Sequence, residues 1–169
     1  MKNLFKIKES LVKSIFLFLL LLAPSIVFAE NNFSASKWTY NCNKSKVCFL
    51  AVRSELDEQD SKKEKRTLAT LIIKLVGDVP VLFARLPLNI DLKKNALVTV
   101  DKQNVGYLKY SHCNNEHGCT GVAQLADDVS KKFKSGNELI VTVGIGGSKN
   151  MSILFPLKNF SKAYKKLIK

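Results

Sequence analysis

The sequence has 169 residues, of which 27 are Lys or Arg and 14 are Asp or Glu, and its formal net charge is +13. A chain of this length forms one domain and buries most of its apolar surface without a cofactor, so no cofactor is predicted. The length therefore excludes an architecture of several domains.

Residues 1–29 have the composition of a cleavable signal peptide. Their basic region contains Lys2, Lys6, Lys8 and Lys13. An almost unbroken apolar run covers 14–28, and the small residues Val27 and Ala29 predict cleavage between Ala29 and Glu30. The run is shorter than the roughly 20 residues that span a membrane, although an uncleaved N-terminal anchor is the alternative.

No later stretch is long and apolar enough to cross a bilayer. We therefore predict an exported protein that is not an integral membrane protein after signal cleavage. The periplasm is the predicted compartment, with the outer membrane surface and secretion as alternatives. Residues 30–169 are the predicted mature domain.

This mature domain remains strongly basic. Cleavage removes four lysines and Glu9, which leaves 23 basic and 13 acidic residues and a net charge of +10. Export excludes nucleic acid as the partner, so the predicted anionic partners are envelope lipid, lipopolysaccharide or a host surface component. The alternative is that the lysines only keep the surface soluble.

The first part of the mature domain alternates short apolar runs with turn residues, a pattern typical of β-strands. Residues 38–42 and 47–52 flank the turn 43–46 and predict a hairpin. Residues 54–66 are almost all polar or charged and predict an exposed loop. Further strands are predicted at 67–76, 81–86, 97–100 and 105–110.

Four cysteines form two equally spaced pairs, Cys42 with Cys48 and Cys113 with Cys119. In an exported protein an even number of cysteines predicts disulfides. Four cysteines allow three pairings, and we favour the local pairs 42–48 and 113–119 because each closes a small loop over a turn. The alternative is a crossed pairing that ties the first hairpin to the middle of the domain.

A metal site is the alternative for the second cysteine pair. The cluster consists of His112, Cys113, His117 and Cys119. It places both histidines of the chain beside two sulfurs, a donor set that suits zinc or copper. Because adjacent residues of a strand point to opposite faces and oxidation consumes both thiolates, we predict no metal. A periplasmic metal-binding protein remains the alternative function.

The hydrophobic period changes after the second cysteine pair. Leu125, Val129 and Phe133 are spaced by four, so 124–134 predicts a short helix that ends in a left-handed cap at Gly136. Strands are then predicted at 139–143 and 151–157, joined by a glycine-rich turn at 144–148.

The tail predicts a second amphipathic helix, with Asn159 as its N-cap. Its basic face is the candidate site for binding an anionic surface and carries Lys162, Lys165, Lys166 and Lys169. Its apolar face carries Phe160, Ala163, Tyr164, Leu167 and Ile168. This face either dips into a membrane interface or packs on the core, and we favour the core because so short a helix needs tertiary support.

Many short strands with two late helices predict a mainly β fold, an antiparallel β-sandwich. The chain has no nucleophile elbow, zinc-protease or phosphate-loop motif, and no catalytic residue is predicted. The carboxylates of Asp127 and Asp128 suit the first turn of a helix, where acids complement the dipole. We therefore predict a non-enzymatic protein, with an enzyme of unrecognised type as the alternative.

Several short segments, taken in chain order, carry a family resemblance. They are Trp38 with Cys42 and Cys48, Leu86-Pro87-Leu88, residues 98–101, Cys113 with Gly118-Cys119, residues 134–136, residues 155–160, and Ala163-Tyr164. This order resembles the invasion-associated locus B family of bacterial envelope proteins over nearly all of residues 30–169. Asn89 departs from the pattern, which has a glycine after Leu-Pro-Leu.

The resemblance implies an exported, Ig-like β-sandwich, linked in some members with entry into host cells. It supplies no catalytic residues, and a family's fold does not by itself assign a function. Together with the charge, it predicts a binding or host-interaction module with a basic surface.

Overall fold

The computed structural model describes residues 33–56 and 66–169, which form ten β-strands and two α-helices. The strands are β1 (Phe33–Ala35), β2 (Thr39–Cys42), β3 (Cys48–Leu56), β4 (Arg66–Val76), β5 (Val79–Leu86), β6 (Ala96–Val100), β7 (Gln103–Asn114), β8 (Gly118–Gln124), β9 (Glu138–Gly144) and β10 (Asn150–Pro156). The helices are α1 (Asp127–Ser135) and α2 (Phe160–Leu167). The predicted signal peptide and the centre of the predicted polar loop lie outside the described residues, and their predictions stand untested.

The predicted fold class is confirmed: the chain is mainly β, its strands are antiparallel, and it has one internal and one C-terminal helix. Each predicted strand is present with shifted ends. The structure adds β1 and β8, which the apolar pattern did not predict.

The strands follow one continuous path, β1-β3-β4-β5-β8-β7-β6-β9-β10, with β2 paired to β3. β7 makes this path curl, because its first half pairs with β6 and its second half with β8. Register shifts lie on both sides of it, between Val98 and Thr99 and between Tyr110 and His112. Such irregularities bend a strand, so the two layers of the sandwich-like sheet are joined through β7.

Alternating side chains of the strands build the core between these layers. In β9, Leu139, Val141 and Val143 are buried, and the residues between them are half-buried. A shift of one residue in the pairing would turn all three outward, so burial of one face fixes the register. The largest fully buried side chains include Phe133, Phe155, Phe160, Leu50 and Leu71.

The two helices pack on this core through aromatic rings. The ring of Phe160 lies 5.1 Å from Trp38 and 5.5 Å from Phe133, both edge to face, and 5.3 Å from Tyr164. Edge-to-face pairs add stability beyond the area they bury. The start of α2 is therefore anchored to α1 and to the residue that precedes β2.

Two predicted helix caps differ from the structure. Gly136 follows α1, but its φ of −80° is not left-handed, so the predicted left-handed cap is wrong. Space explains the glycine instead, because an added Cβ would collide with Val100 and lie 3.1 Å from Leu157. Asn159 occupies the N-cap position of α2, yet it makes no side-chain capping hydrogen bond and has a left-handed φ of 70°.

Candidate functional site

The predicted anion-binding lysines lie on the outside of the C-terminal helix. Lys162, Lys165 and Lys166 are exposed on α2, and Lys169 is exposed just beyond its end. The apolar face of α2 is buried, with Phe160 0% and Tyr164 4% exposed. The core-packing interpretation thus describes the helix itself. Ile168, which was predicted to share its apolar face, instead lies just beyond the helix end and is 52% exposed.

Both local disulfides are present in the structure. The Sγ atoms of Cys42 and Cys48 are 2.03 Å apart, and those of Cys113 and Cys119 are 2.14 Å apart. Each pair joins directly opposite residues of an antiparallel hairpin, β2–β3 in the first case and β7–β8 in the second. Each bond therefore closes a hairpin, as the spacing of the cysteines predicted.

The two histidines beside the second disulfide contact different neighbours: His112 lies beside two hydroxyl groups, and His117 lies beside the carboxylate of Glu116. Nδ1 of His112 lies 3.0 Å from the hydroxyl of Ser111, and its Nε2 lies 3.4 Å from that of Thr120. In the described part of the chain, no three His, Cys, Asp or Glu side chains are grouped to hold a metal. Because the sulfurs of Cys113 and Cys119 are bonded to each other, the described residues give the alternative metal site no support.

A cavity of about 510 Å³ lies beside β4, and we call it the β4–β5 notch. It is lined by Leu56 and by residues 66–70, 85–88 and 116–118. Successive residues of a strand point to opposite faces, so a cavity lined by the five consecutive residues 66–70 contacts the edge of β4 and not one of its faces. Two other cavities, of about 120 and 80 Å³, fall below the roughly 300–1,000 Å³ of typical ligand sites.

The notch opens where β4 and β5 stop pairing. Their pairing ends at Thr70 opposite Arg85, although β4 begins at Arg66. Leu68 is the residue skipped in the pairing of β4 with β3, and Pro87 follows β5 without an N–H group to donate. Within 33–56 and 66–169, the strand neighbour of this first part of β4 consequently lies on the β3 side alone.

The opposite wall of the notch is held by the β7–β8 hairpin. Gly118 begins β8 with a φ of +75°, and an added Cβ would collide with the carbonyl oxygen of Leu86. Leu86 is paired with Cys119, whose disulfide closes the same hairpin. The Leu-Pro-Leu and Gly-Cys segments are thus in direct contact at this wall.

The notch carries unpaired positive charge. Arg66 and Arg85 line it, and arginine occurs only at these positions and at Arg53 among the 27 basic residues. Within the described ranges neither guanidinium has an ion-pair or side-chain hydrogen-bond partner. A guanidinium offers a planar fork of donors that fits carboxylate and phosphate groups, so two of the chain's three such groups converge on one cavity.

The remaining lining is mixed. Leu68 and Leu88 present apolar surface, and Leu88 is 40% exposed. His117 is 49% exposed and lies 3.7 Å from the carboxylate of Glu116, the acid of the lining. This arrangement can bind an anion with an apolar part.

Two tyrosines have raised pKa values: Tyr164 is buried in the core, and Tyr110 is half-buried against it. Burial raises the pKa of Tyr110, and the charge of Asp91 adds to the effect. Burial also raises the pKa of Tyr164, a hydrogen bond with Ser130 partly opposes this, and Asp127 adds a smaller increase. Neither tyrosine lines the notch, so both shifts concern stability.

Sequence reasoning named the helix lysines and missed Arg66 and Arg85. The scarcity of arginine in a lysine-rich chain was the available signal, but only the strand register brings these two residues to one cavity.

As for the membrane, the helices formed by the described residues are all too short or too polar to cross one.

Comparisons with known proteins agree with this architecture. The family described as Invasion associated locus B (IalB) protein matches residues 38–168. A solved structure titled crystal structure of invasion associated protein b from Bartonella henselae is similar, with a TM-score of 0.67 and 21% identity. The similarity covers 80% of this chain and 94% of that chain, and at this identity it shows the fold alone. No curated protein sequence matches the chain.

Proposed function

The chain belongs to the invasion associated locus B family, and from this premise we propose that it is an exported, non-enzymatic binding module of the cell envelope. Its basic surface engages an anionic component, either envelope lipid, lipopolysaccharide or a host surface polymer. The periplasm is the proposed compartment, with the outer membrane surface or the medium as alternatives.

Unpaired positive charge is the observation that carries this proposal. Leaving Glu55 aside, no carboxylate in residues 33–56 and 66–169 lies within ion-pair distance of a lysine or arginine of these ranges. Basic groups that no carboxylate neutralises interact with anions outside the protein, and a net charge of this size attracts anionic surfaces over several ångströms. The exposed lysines of α2 and the arginines of the notch both contribute.

Export is supported by the two disulfides. Cystine bonds persist in oxidising compartments and are rare in a reducing cytosol. Both bonds close hairpins of the described fold, so the protein reaches this structure where its thiols oxidise.

The non-enzymatic part of the proposal is supported by the chemistry of the notch. Its charged groups are two arginines, one histidine and the carboxylate of Glu116. Guanidinium groups stay protonated and serve as binding groups, not as proton acceptors. The notch therefore has the composition of an anion-binding surface.

Vesicle co-sedimentation of the disulfide-bonded residues 30–169 tests the proposed function. We expect binding to phosphatidylglycerol vesicles and to lipopolysaccharide, weak binding to phosphatidylcholine, and a decrease of the first two as salt screens the charges. Binding that ignores salt, or no binding to either anionic surface, would contradict the proposal.

Charge variants then locate the surface. The test variant replaces the four lysines at and beyond α2 by Gln: Lys162, Lys165, Lys166 and Lys169. The matched control removes the same charge elsewhere, at four exposed lysines: Lys93, Lys94, Lys131 and Lys149. If the helix face binds, the test variant loses more vesicle binding than the control; equal losses would indicate that net charge alone acts.

A further inference from the structure

We propose that the β4–β5 notch binds an extended, acidic peptide segment of a partner protein, which adds to the free edge of β4 as a short extra strand. The inference rests on the proposed function and names the chemical class of the anionic partner.

The free strand edge is the feature that selects a peptide. Among the described residues, Arg66, Thr67 and Ala69 pair with β3 and with no strand on the other side, because β5 departs from β4 after Thr70 and Arg85. Arg66 and Thr67 are exposed there. A free edge presents N–H and C=O groups at the spacing of a strand, and another extended backbone completes this ladder along its whole length. A lipid headgroup satisfies such groups at a single point. The notch volume of about 510 Å³ accommodates a segment of a few residues.

The arginines select acidic side chains on that peptide. Arg85 lies level with Thr70, and Arg66 lies four residues away along β4. At about 3.3 Å per residue this separation is about 13 Å. A strand beside β4 covers the distance with about four residues, so acidic side chains near its two ends meet one guanidinium each.

The apolar lining selects the residues between the two acids. Leu68 lies on the β4 wall between Arg66 and Thr70, and Leu88 lies on the opposite wall, where 40% of it is exposed. Pro87 beside Leu88 offers no N–H group, so this wall contacts a ligand mainly through side chains. The preferred ligand therefore combines acidic ends with β-branched or other apolar residues in its middle.

Fluorescence anisotropy with three labelled, end-blocked peptides tests the inference on the disulfide-bonded residues 30–169. The first peptide is Thr-Glu-Val-Thr-Val-Glu-Thr, and the second replaces both Glu by Gln. The third keeps both Glu but carries N-methyl groups on alternate backbone nitrogens, which removes strand pairing without changing the charge. We expect the second and third peptides to bind at least about tenfold more weakly than the first.

Protein variants provide the second readout. Arg66→Gln and Arg85→Gln should each weaken binding of the first peptide about tenfold, because each removes a charge-assisted hydrogen bond. Arg53 is the matched control, since it is exposed on the neighbouring β3 but does not line the notch. Arg53→Gln should change the affinity less than about twofold.

The inference would be overturned by no binding of the first peptide up to about 1 mM, by equal binding of the N-methylated peptide, or by an equal effect of Arg53→Gln. Loss of vesicle binding in Arg66→Gln and Arg85→Gln without peptide binding would also overturn it, by assigning the notch to lipid. Vesicle binding that persists while every peptide fails would remove this inference and leave the proposed function standing. Failure of both assays would remove both.

Discussion

The indole nitrogen of Trp38 donates a 2.9 Å hydrogen bond to the carbonyl oxygen of Pro156, 118 residues later in the chain. Trp38 precedes β2 and Pro156 ends β10, so this bond joins the two ends of the curled sheet, which no ladder between the described strands connects. The ring of Trp38 also packs edge to face on Phe160, and the residue is only 3% exposed. One side chain thus ties together the first and last parts of the described fold.

Trp38→Phe should lower the free energy of unfolding by about 1–3 kcal/mol, because it removes this hydrogen bond and leaves unfilled space beside Phe160. Urea unfolding followed by circular dichroism measures the change. Ile168→Val, at a position 52% exposed, is the control and should stay within about 0.5 kcal/mol. A Trp38→Phe loss no larger than the control would show that the bond does not stabilise the closure.

The two disulfides should contribute unequally. Both span a sequence separation of 6, so the chain-entropy contribution of each is similar, about 2–3 kcal/mol. Cys119 is only 3% exposed and lies in the core, whereas Cys42 is exposed. The double variant Cys113→Ala with Cys119→Ala should therefore lose more stability than Cys42→Ala with Cys48→Ala.

Urea unfolding without reductant measures both double variants against the native protein. Equal losses, or a larger loss for Cys42→Ala with Cys48→Ala, would show that burial of Cys119 adds nothing to the effect of loop closure.

Strand positions were predictable wherever every second side chain is buried. In β4 and β9 the apolar residues at every second position indicate which face of the strand is buried. The second half of β7 lacks this alternating pattern, because it is mostly exposed and polar. β8 was missed because Gly121 stands at an inward position, where an added Cβ would lie only 3.1 Å from Leu108. The close approach of the neighbouring strand requires glycine at this position, and glycine interrupts the alternating apolar pattern from which a strand is predicted.

Asn89 illustrates a departure from a pattern that the structure explains. The resemblance has a glycine at this position, and the φ of Asn89 is +64°. Asparagine visits the left-handed region more readily than most residues, so the turn after β5 survives the substitution. The notch, by contrast, could not be predicted, because the approach of Arg66 and Arg85 depends on where β4 and β5 part.

Gly118→Ala should be strongly destabilising, by about 3 kcal/mol, since a Cβ there collides with the backbone of Leu86 and the residue has a φ of +75°. Gly146 is a matched control with a φ of +77° and no atom within 4 Å of an added Cβ. Gly146→Ala should cost only about 1 kcal/mol, which isolates the backbone strain from the collision. Thermal and urea unfolding compare the two variants. Equal losses of stability would mean that the backbone of Leu86 moves away from the added Cβ without a measurable loss of stability.

Tyr110→Phe should leave the protein at least as stable at neutral pH. The hydroxyl of Tyr110 is buried and has no hydrogen-bond partner among the described residues. Removing an unsatisfied buried group recovers its desolvation cost, so a gain of up to about 1 kcal/mol is expected. Urea unfolding at pH 7 measures the difference, and a clear loss of stability would show that the hydroxyl has a favourable interaction.

The same substitution should flatten the loss of stability at alkaline pH. Burial, and secondly the charge of Asp91, raises the pKa of Tyr110 in the folded state above its ordinary value of 10.0. Below pH 10.0 Tyr110 is protonated in both the folded and the unfolded state, so its contribution to the free energy of unfolding is fully present. Above that pH the unfolded chain loses the proton first, so stability falls as the pH rises toward the folded pKa. Unfolding free energies measured between about pH 9 and 12 should therefore decline less steeply in Tyr110→Phe than in the native protein. Asp91→Asn, which removes only the smaller cause, should flatten the decline less than Tyr110→Phe does, whereas parallel curves for Tyr110→Phe and the native protein would show that Tyr110 does not control it.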